Sequence, residues 1–191
     1  MALSLSKNLA PCMLILTSAH GLSRLSRHFY YARAAFKLYI VCGCVLLAQS
    51  LAQDQDLSLA IQTCWIWSHT LGLPLLSADI CFIPQLLPDL APFHIAIPVY
   101  SLIIQELAPC PGDSLLLIIS HTLSIFAVAI AYVSNEAIAR LGYIGTALAV
   151  SIRLSPYNHT ELSYFENWCF VMSLANFYAY QLLRRYRWSS E

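Results

Sequence analysis

The sequence is poor in charged residues. Only 10% of its 191 residues are Asp, Glu, Lys or Arg, and 59% are hydrophobic, whereas a soluble domain carries about 25% charged residues. This scarcity of charge argues against water as the main solvent of the folded chain. Basic and acidic residues balance to a formal net charge of zero. The balance argues against a nucleic-acid partner, since phosphate binding needs an excess of Lys and Arg.

The sequence also lacks the motifs that mark common cofactor and metal sites. It contains no phosphate-binding loop, Rossmann glycine pattern, nucleophile elbow or kinase signature. Its seven cysteines form no CxxC pair and no Cys/His spacing typical of zinc. No HxxxH or ExxH spacing occurs. We therefore predict neither a cofactor nor a metal site.

Long apolar segments, separated by short polar ones, make up most of the chain. A helix that spans a membrane needs about 20 predominantly apolar residues, and six segments approach or reach that length. The segments are Phe36–Ala52, Leu57–Leu76, Phe93–Leu107, Ser114–Ser134, Leu141–Ile152 and Tyr164–Leu183. The pattern predicts an all-α, polytopic integral membrane bundle of about six transmembrane helices, with the lipid bilayer as its partner.

The segment Ser77–Pro92 does not fit this series. It is apolar, but it contains three prolines and two aspartates, and proline at that density disfavours a regular helix. We predict a re-entrant or interfacial loop here. Five or seven spans are the alternatives, if Ser77–Pro92 crosses the membrane or if the short segment Leu141–Ile152 does not.

The N-terminal residues 1–35 are basic and carry no acidic residue. Within them, Asn8–Ala19 is apolar but too short to span a membrane. We predict that this region is a basic arm at the membrane surface. A mitochondrial presequence is the second alternative, and a cleaved signal peptide is the third. Residues 36–183 then form the six-span membrane domain, and 184–191 form a short basic tail.

The distribution of basic residues predicts the orientation in the membrane. Lys and Arg near span ends stay on the cytoplasmic side, so the N-terminal arm and the tail at Arg184 and Arg185 are expected to share that side. Six crossings satisfy this requirement and place the glycosylation sequon at Asn158 on the lumenal face. We therefore expect a glycoprotein of the endomembrane system, favouring the endoplasmic reticulum, with the mitochondrial inner membrane as the alternative.

Polar residues recur at helical spacing within four of the predicted spans. Such residues are costly in lipid and normally face other helices or a wet cavity. They include Gln62, Trp65 and His69 in the second span, His94 and Ser101 in the third, Ser120, His121 and Ser124 in the fourth, and Glu166, Ser173 and Asn176 in the sixth. Most polar residues of this kind only hold helices together through hydrogen bonds.

Three of these residues are candidates for catalysis. His69 and His121 carry imidazoles, whose proton affinity lies near neutral pH, and they can act as an acid/base couple or a proton relay if they converge. A metal pair would need a further ligand. Glu166 lies near a span end, where it is either a partly immersed acid or a hydrated interfacial residue. Trp168, close to it, fits the aromatic belt of a membrane interface.

Two functional classes remain open. In the first, the polar faces line a cavity and the protein is a small membrane enzyme that acts on a lipid-soluble substrate, such as a sterol, terpenoid or acyl compound. In the second, the protein is a non-catalytic accessory or assembly subunit, and the small residues Gly142, Gly145, Thr146 and Ala149 are a contact face. A transporter ranks third, because no span carries a central charged residue. The four polar faces favour the enzyme.

Overall fold

The chain folds into a bundle of α-helices. The structure is a computed structural model that describes residues 2–52, 57–83, 88–107, 114–133, 145–146 and 164–185, and none of these residues lies in a β-strand. The helices are α1 (Ala2–Arg24), α2 (Tyr30–Leu51), α3 (Ser58–Cys81), α4 (Ala91–Leu107), α5 (Ser114–Val133) and α6 (Tyr164–Arg185), with a 3₁₀ turn at Pro88–Leu90. The predicted all-α class is confirmed.

The N-terminal segment is a helix that packs within the bundle. Helix α1 lies against α2 and α6, and it buries Ala10, Leu14 and Ser18. These residues recur every four positions, so they form one stripe along the helix. The sequence predicts a surface arm here, since the apolar run is too short to span a membrane. A short run is nevertheless long enough to form one buried helical face.

Side chains from neighbouring helices complete the turn between α1 and α2. The Arg33 guanidinium donates to the carbonyl oxygens of Leu22 and Leu25, each at 2.9 Å. The buried Asp79 carboxylate accepts the N–H of Ala32, in the first turn of α2, at 2.6 Å. Backbone groups at helix ends have no hydrogen-bond partner within their own helix. Arg33 and Asp79 provide such partners here. We call this group the helix corner.

Helix α3 is longer than the sequence predicts. It continues through Ser77 to Cys81, so the loop predicted over Ser77–Pro92 is wrong for its first residues. Pro84 follows shortly afterwards, and a residue before proline disfavours the helical conformation. Pro84 therefore favours an end to the helix shortly before it, but the residues from Ser77 to Cys81 are still helical.

One described helix, α2, is long and apolar enough to cross a membrane, and α5 contains a shorter apolar stretch, Leu115–Ala131. Six described helices are present, but their lengths and hydropathies do not support a six-span bundle. Polar residues interrupt the apolar sequence of α3 and of α6, among them His69 in α3 and Asn176 in α6. The predicted span Leu141–Ile152 lies outside the described residues except for Gly145 and Thr146.

The core lies where α1, α2, α3 and α6 meet. Its largest fully buried side chains include Phe36 and Tyr39 of α2 and Trp168 and Tyr180 of α6. Polar groups are buried with them. At the contact between α1 and α6, the Asn176 amide donates to the Ser18 hydroxyl at 2.9 Å, and both residues are fully buried.

Candidate functional site

Two buried histidines meet where α3 packs on α5. The Nε2 atoms of His69 and His121 lie 3.3 Å apart, and the ring centroids are 4.8 Å apart in an edge-to-face arrangement. For one Nε2–H to donate to the other Nε2, the accepting neutral ring must carry its proton on Nδ1. The two helices thus bring an Nε2 atom of each imidazole within hydrogen-bond distance of the other.

Aromatic side chains fix the His69 ring. Trp65 lies one turn earlier on α3, and its ring is parallel to that of His69 with a centroid distance of 5.7 Å. Trp65 in turn contacts Phe165 and Trp168 of α6 edge-to-face, at centroid distances of 4.8 and 4.5 Å. Offset and edge-to-face contacts are the favoured geometries of aromatic pairs. Trp65, Phe165 and Trp168 thus form an aromatic wall beside His69.

A small cavity borders the histidine pair. We call it the histidine cavity. Its lining residues come from four helices, and they are Tyr39, Ser68, His69, Leu73, His121, Trp168 and Met172. Small-molecule sites are mostly apolar, with a few well-placed polar groups, and this lining has that character.

Tyr39 brings a phenol from α2 to this cavity. Its side chain is fully buried, and its ring contacts Trp168 at a centroid distance of 5.9 Å. The approach depends on Gly72, because a Cβ at that position would overlap the Tyr39 hydroxyl and the adjoining ring atoms. The hydroxyl has no hydrogen-bond partner among the described residues.

A second small cavity has Leu73 as a lining residue in common with the first. We call it the apolar cavity. It lies between α3, α5 and α6, and Leu76, Ile80, Val128 and Ala175 form part of its wall. Thr146 and Tyr178 are the polar residues among the described side chains that line it. The two cavities together offer a polar end and an apolar end.

A third buried histidine, His94 of α4, takes part in a separate polar group. Its Nδ1 lies 3.4 Å from the Ser124 hydroxyl, which also approaches the Ser120 carbonyl at 2.8 Å. The Ser77 hydroxyl donates to the Ser124 carbonyl at 3.3 Å. None of these residues lines the histidine cavity. They join α3, α4 and α5, which is the usual role of polar side chains between apolar helices.

Glu166, the third candidate from the sequence, is buried on α6. Its neighbours in the chain, Phe165 and Trp168, contact Trp65. Glu166 itself is not one of the described side chains that line the histidine cavity. The structure therefore brings His69 and His121 together at the cavity without Glu166.

The described residues offer no site for a metal ion. No three His, Cys, Asp or Glu side chains among them are grouped closely enough to hold one. Two imidazoles alone do not make a protein site for zinc, which takes at least three protein ligands. The arrangement suits proton transfer instead, because an imidazole that takes up a proton on one nitrogen can release a proton from the other.

Sequence reasoning missed several residues of the histidine cavity. The sequence pattern places Trp168 in an interfacial belt, but the residue is buried in the core. Tyr39 and Met172 lie in segments that read as ordinary apolar helix, and only the packing of α2, α3 and α6 brings them to the cavity. No spacing in the sequence marks them.

Comparisons with known proteins give no relative. No family model, no curated protein and no solved structure matches the chain. Function is therefore inferred from the residues of the site.

Proposed function

We propose that the protein is a small membrane enzyme that transfers protons on a lipid-soluble substrate, with His69 and His121 as the acid/base couple. One observation carries the proposal: two buried imidazoles, 3.3 Å apart at Nε2, border a cavity with a polar end. Glu166, which the sequence predicts as a further acid, lies outside that lining. It has no role in the proton transfer proposed here.

The distribution of polarity supports a membrane location. Large apolar side chains are exposed on the outside of α4 and α5, among them Phe93, Tyr100, Leu115 and Phe126. Polar side chains, including the three histidines of the spans, are buried inside. Extensive exposed apolar surface on a folded protein marks contact with membrane or with other proteins. We therefore propose that the helices form a multi-pass bundle in the bilayer.

We further propose that this bundle resides in the endoplasmic reticulum, with the connection between α1 and α2 and the C-terminal tail on the cytoplasmic side and Asn158 on the lumenal side. Arg24, Arg27 and Arg33 at that connection and Arg184 and Arg185 at the end of α6 support this orientation. Treatment with an N-glycosidase tests it: the wild-type protein is expected to shift on a gel, and the Asn158→Gln variant is not. Import into mitochondria, without glycosylation, would contradict the assignment.

The proposed proton transfer uses both histidines, His69 and His121. When one histidine takes a proton from a substrate carbon or oxygen, the second ring can accept the proton that the first then releases from its Nε2. The pair can return a proton elsewhere on the substrate, so that one residue acts as base while the other acts as acid. Burial excludes water from this exchange, which protects a reactive intermediate from hydrolysis.

Purification in mild detergent, followed by mass spectrometry of the molecules and proteins that remain bound, tests the proposal. We expect the wild-type protein to retain one small apolar molecule, and we expect His69→Gln and His121→Gln to reduce its retention. His94→Gln is the matched control, because His94 is also buried but does not line the cavity.

Stoichiometric partner proteins without a small molecule would overturn the proposal in favour of an accessory or assembly subunit. One observation bears on that alternative. Gly145 and Thr146, from the small-residue face that the sequence suggests for a partner, are buried, and Gly145 lies against Ala175 of α6. The described part of that face is thus already covered by the chain itself.

A further inference from the structure

We propose that Tyr39 binds an oxygen atom of the ligand in the histidine cavity, and that the apolar cavity holds the ligand's hydrocarbon body. The ligand class is accordingly an apolar molecule with a carbonyl or hydroxyl oxygen. This inference rests on the proposed function, because it concerns the ligand of the same site.

The state of the Tyr39 hydroxyl is the first observation. It is fully buried, and it has no hydrogen-bond partner among the described residues. A buried polar group normally has a partner, because burial without one forfeits the hydrogen bonds that water would supply. A hydroxyl can donate to an oxygen acceptor and also accept. A ligand oxygen in the cavity would supply the missing partner.

The position of the phenol is held from several sides. Its ring lies against Trp168, and the absence of a side chain at Gly72 gives it room on α3. Gly72 is three residues after His69, so both lie on one face of α3. The hydroxyl and the imidazole therefore line one space, and a ligand oxygen bonded to Tyr39 would place adjoining atoms near the histidines.

The rest of the ligand is specified by the adjoining space. Leu73 borders both cavities, so a molecule longer than the histidine cavity would extend past Leu73. Beyond it the walls are mainly aliphatic, with Leu76, Ile80 and Val128 among them. Walls of this kind favour hydrocarbon over charged or strongly polar groups.

Photolabelling with benzophenone tests the inference in the detergent-purified full chain. Benzophenone is an apolar ketone that, on irradiation, forms a covalent bond at its carbonyl carbon with a nearby C–H group. Met172 and Leu73 line the cavity and offer such groups. Digestion and mass spectrometry then give the labelled residue and the extent of labelling.

We expect labelling at Met172 or Leu73 in the wild-type protein. Tyr39→Phe should lower it by about three- to tenfold, the effect of one hydrogen bond on binding. His69→Gln and His121→Gln should lower the labelling less than Tyr39→Phe does, because Tyr39 holds the oxygen. Tyr180→Phe is the matched control: it removes the hydroxyl of another buried tyrosine that lines neither cavity.

Competition separates the oxygen from the apolar body. Dicyclohexyl ketone should displace benzophenone more effectively than dicyclohexylmethane, which has the same rings and no oxygen. Equal labelling of wild type and Tyr39→Phe, or equal competition by the two compounds, would overturn the role of Tyr39 and leave the acid/base proposal standing. No labelling at the cavity in any variant would overturn both.

Discussion

At the helix corner, polar side chains form hydrogen bonds with backbone groups. In the histidine cavity, the Tyr39 hydroxyl forms no hydrogen bond with a described protein group. Arg33 and Asp79 bond to carbonyl and N–H groups at the ends of α1 and α2. In the cavity, the Tyr39 hydroxyl meets no such group among the described residues. The two regions lie on the same helices, since Tyr39 is on α2 and Asp79 is on α3.

This difference separates polar residues that hold helices together from polar residues that are open to a ligand. Burial does not distinguish them, because Asp79 and Tyr39 are both buried. The partner does. Removing a group that satisfies the backbone should cost stability, and removing a group without a partner should not. Four sets of substitutions test this contrast, and they follow in decreasing order of the expected change in free energy.

Gly72→Ala should destabilise the protein most, by about 2–3 kcal/mol, because the new methyl group overlaps the Tyr39 phenol. Chemical unfolding in detergent, followed by circular dichroism, measures the change in free energy. Gly145→Ala is the control: a Cβ there meets Ala175 at an ordinary contact distance of 3.5 Å. Equal effects of the two substitutions would show that Tyr39 does not lie over α3 at Gly72.

Asp79→Ala should lower the free energy of unfolding by about 1–2 kcal/mol, since the first turn of α2 loses its acceptor. Asp79→Asn keeps a side-chain oxygen and should lose less. The same unfolding measurement compares them with Asp89→Ala, which changes an exposed aspartate in the 3₁₀ turn. If Asp79→Ala were as mild as Asp89→Ala, the helix corner would contribute nothing to stability.

The histidine pair should show a coupling energy of about 1 kcal/mol in a double-mutant cycle of His69→Ala and His121→Ala, as polar contacts between membrane helices do. The corresponding cycle of His94→Ala and Ser124→Ala should give less, because that contact is 3.4 Å long and the Ser124 hydroxyl also bonds to Ser120. Additive single effects at His69 and His121 would mean that the two rings do not interact.

Tyr39→Phe should have the smallest effect, within about 0.5 kcal/mol of wild type. The substitution keeps the ring contact with Trp168 and removes a hydroxyl that has no partner among the described residues. Ser173→Ala is a suitable comparison, because the Ser173 hydroxyl is buried but bonded to the Cys169 carbonyl. A loss of stability from Tyr39→Phe larger than that from Ser173→Ala would reveal a protein partner for the phenol.

Apolar length was the most useful guide to the helices. Phe36–Ala52 and Ser114–Ser134 each extend one residue beyond a helix, and Tyr164–Leu183 lies inside one. None of these three segments contains proline. Proline misled at Ser77, where the helix continues to Cys81. A prediction based on local composition cannot tell whether proline stops a helix before it or only after it.

The site was less accessible to sequence reasoning. Helical spacing suggested that His69 faces other helices, but whether it meets His121 or His94 depends on how α3 packs against α4 and α5. Both neighbours are close to α3, and only the register of the helices selects His121. Tyr39 gave no signal at all, since its importance depends on the missing side chain at Gly72, on a different helix.

The hydrogen bond between Ser18 and Asn176 joins residues that are 158 positions apart. At a synthesis rate of about 5–20 residues per second, α1 would leave the ribosome about 8–30 s before the residues that cover it. During that interval its buried stripe at Ala10, Leu14 and Ser18 lacks its final neighbour. The side of α1 that α6 covers in the folded protein therefore stays uncovered until α6 has been synthesised.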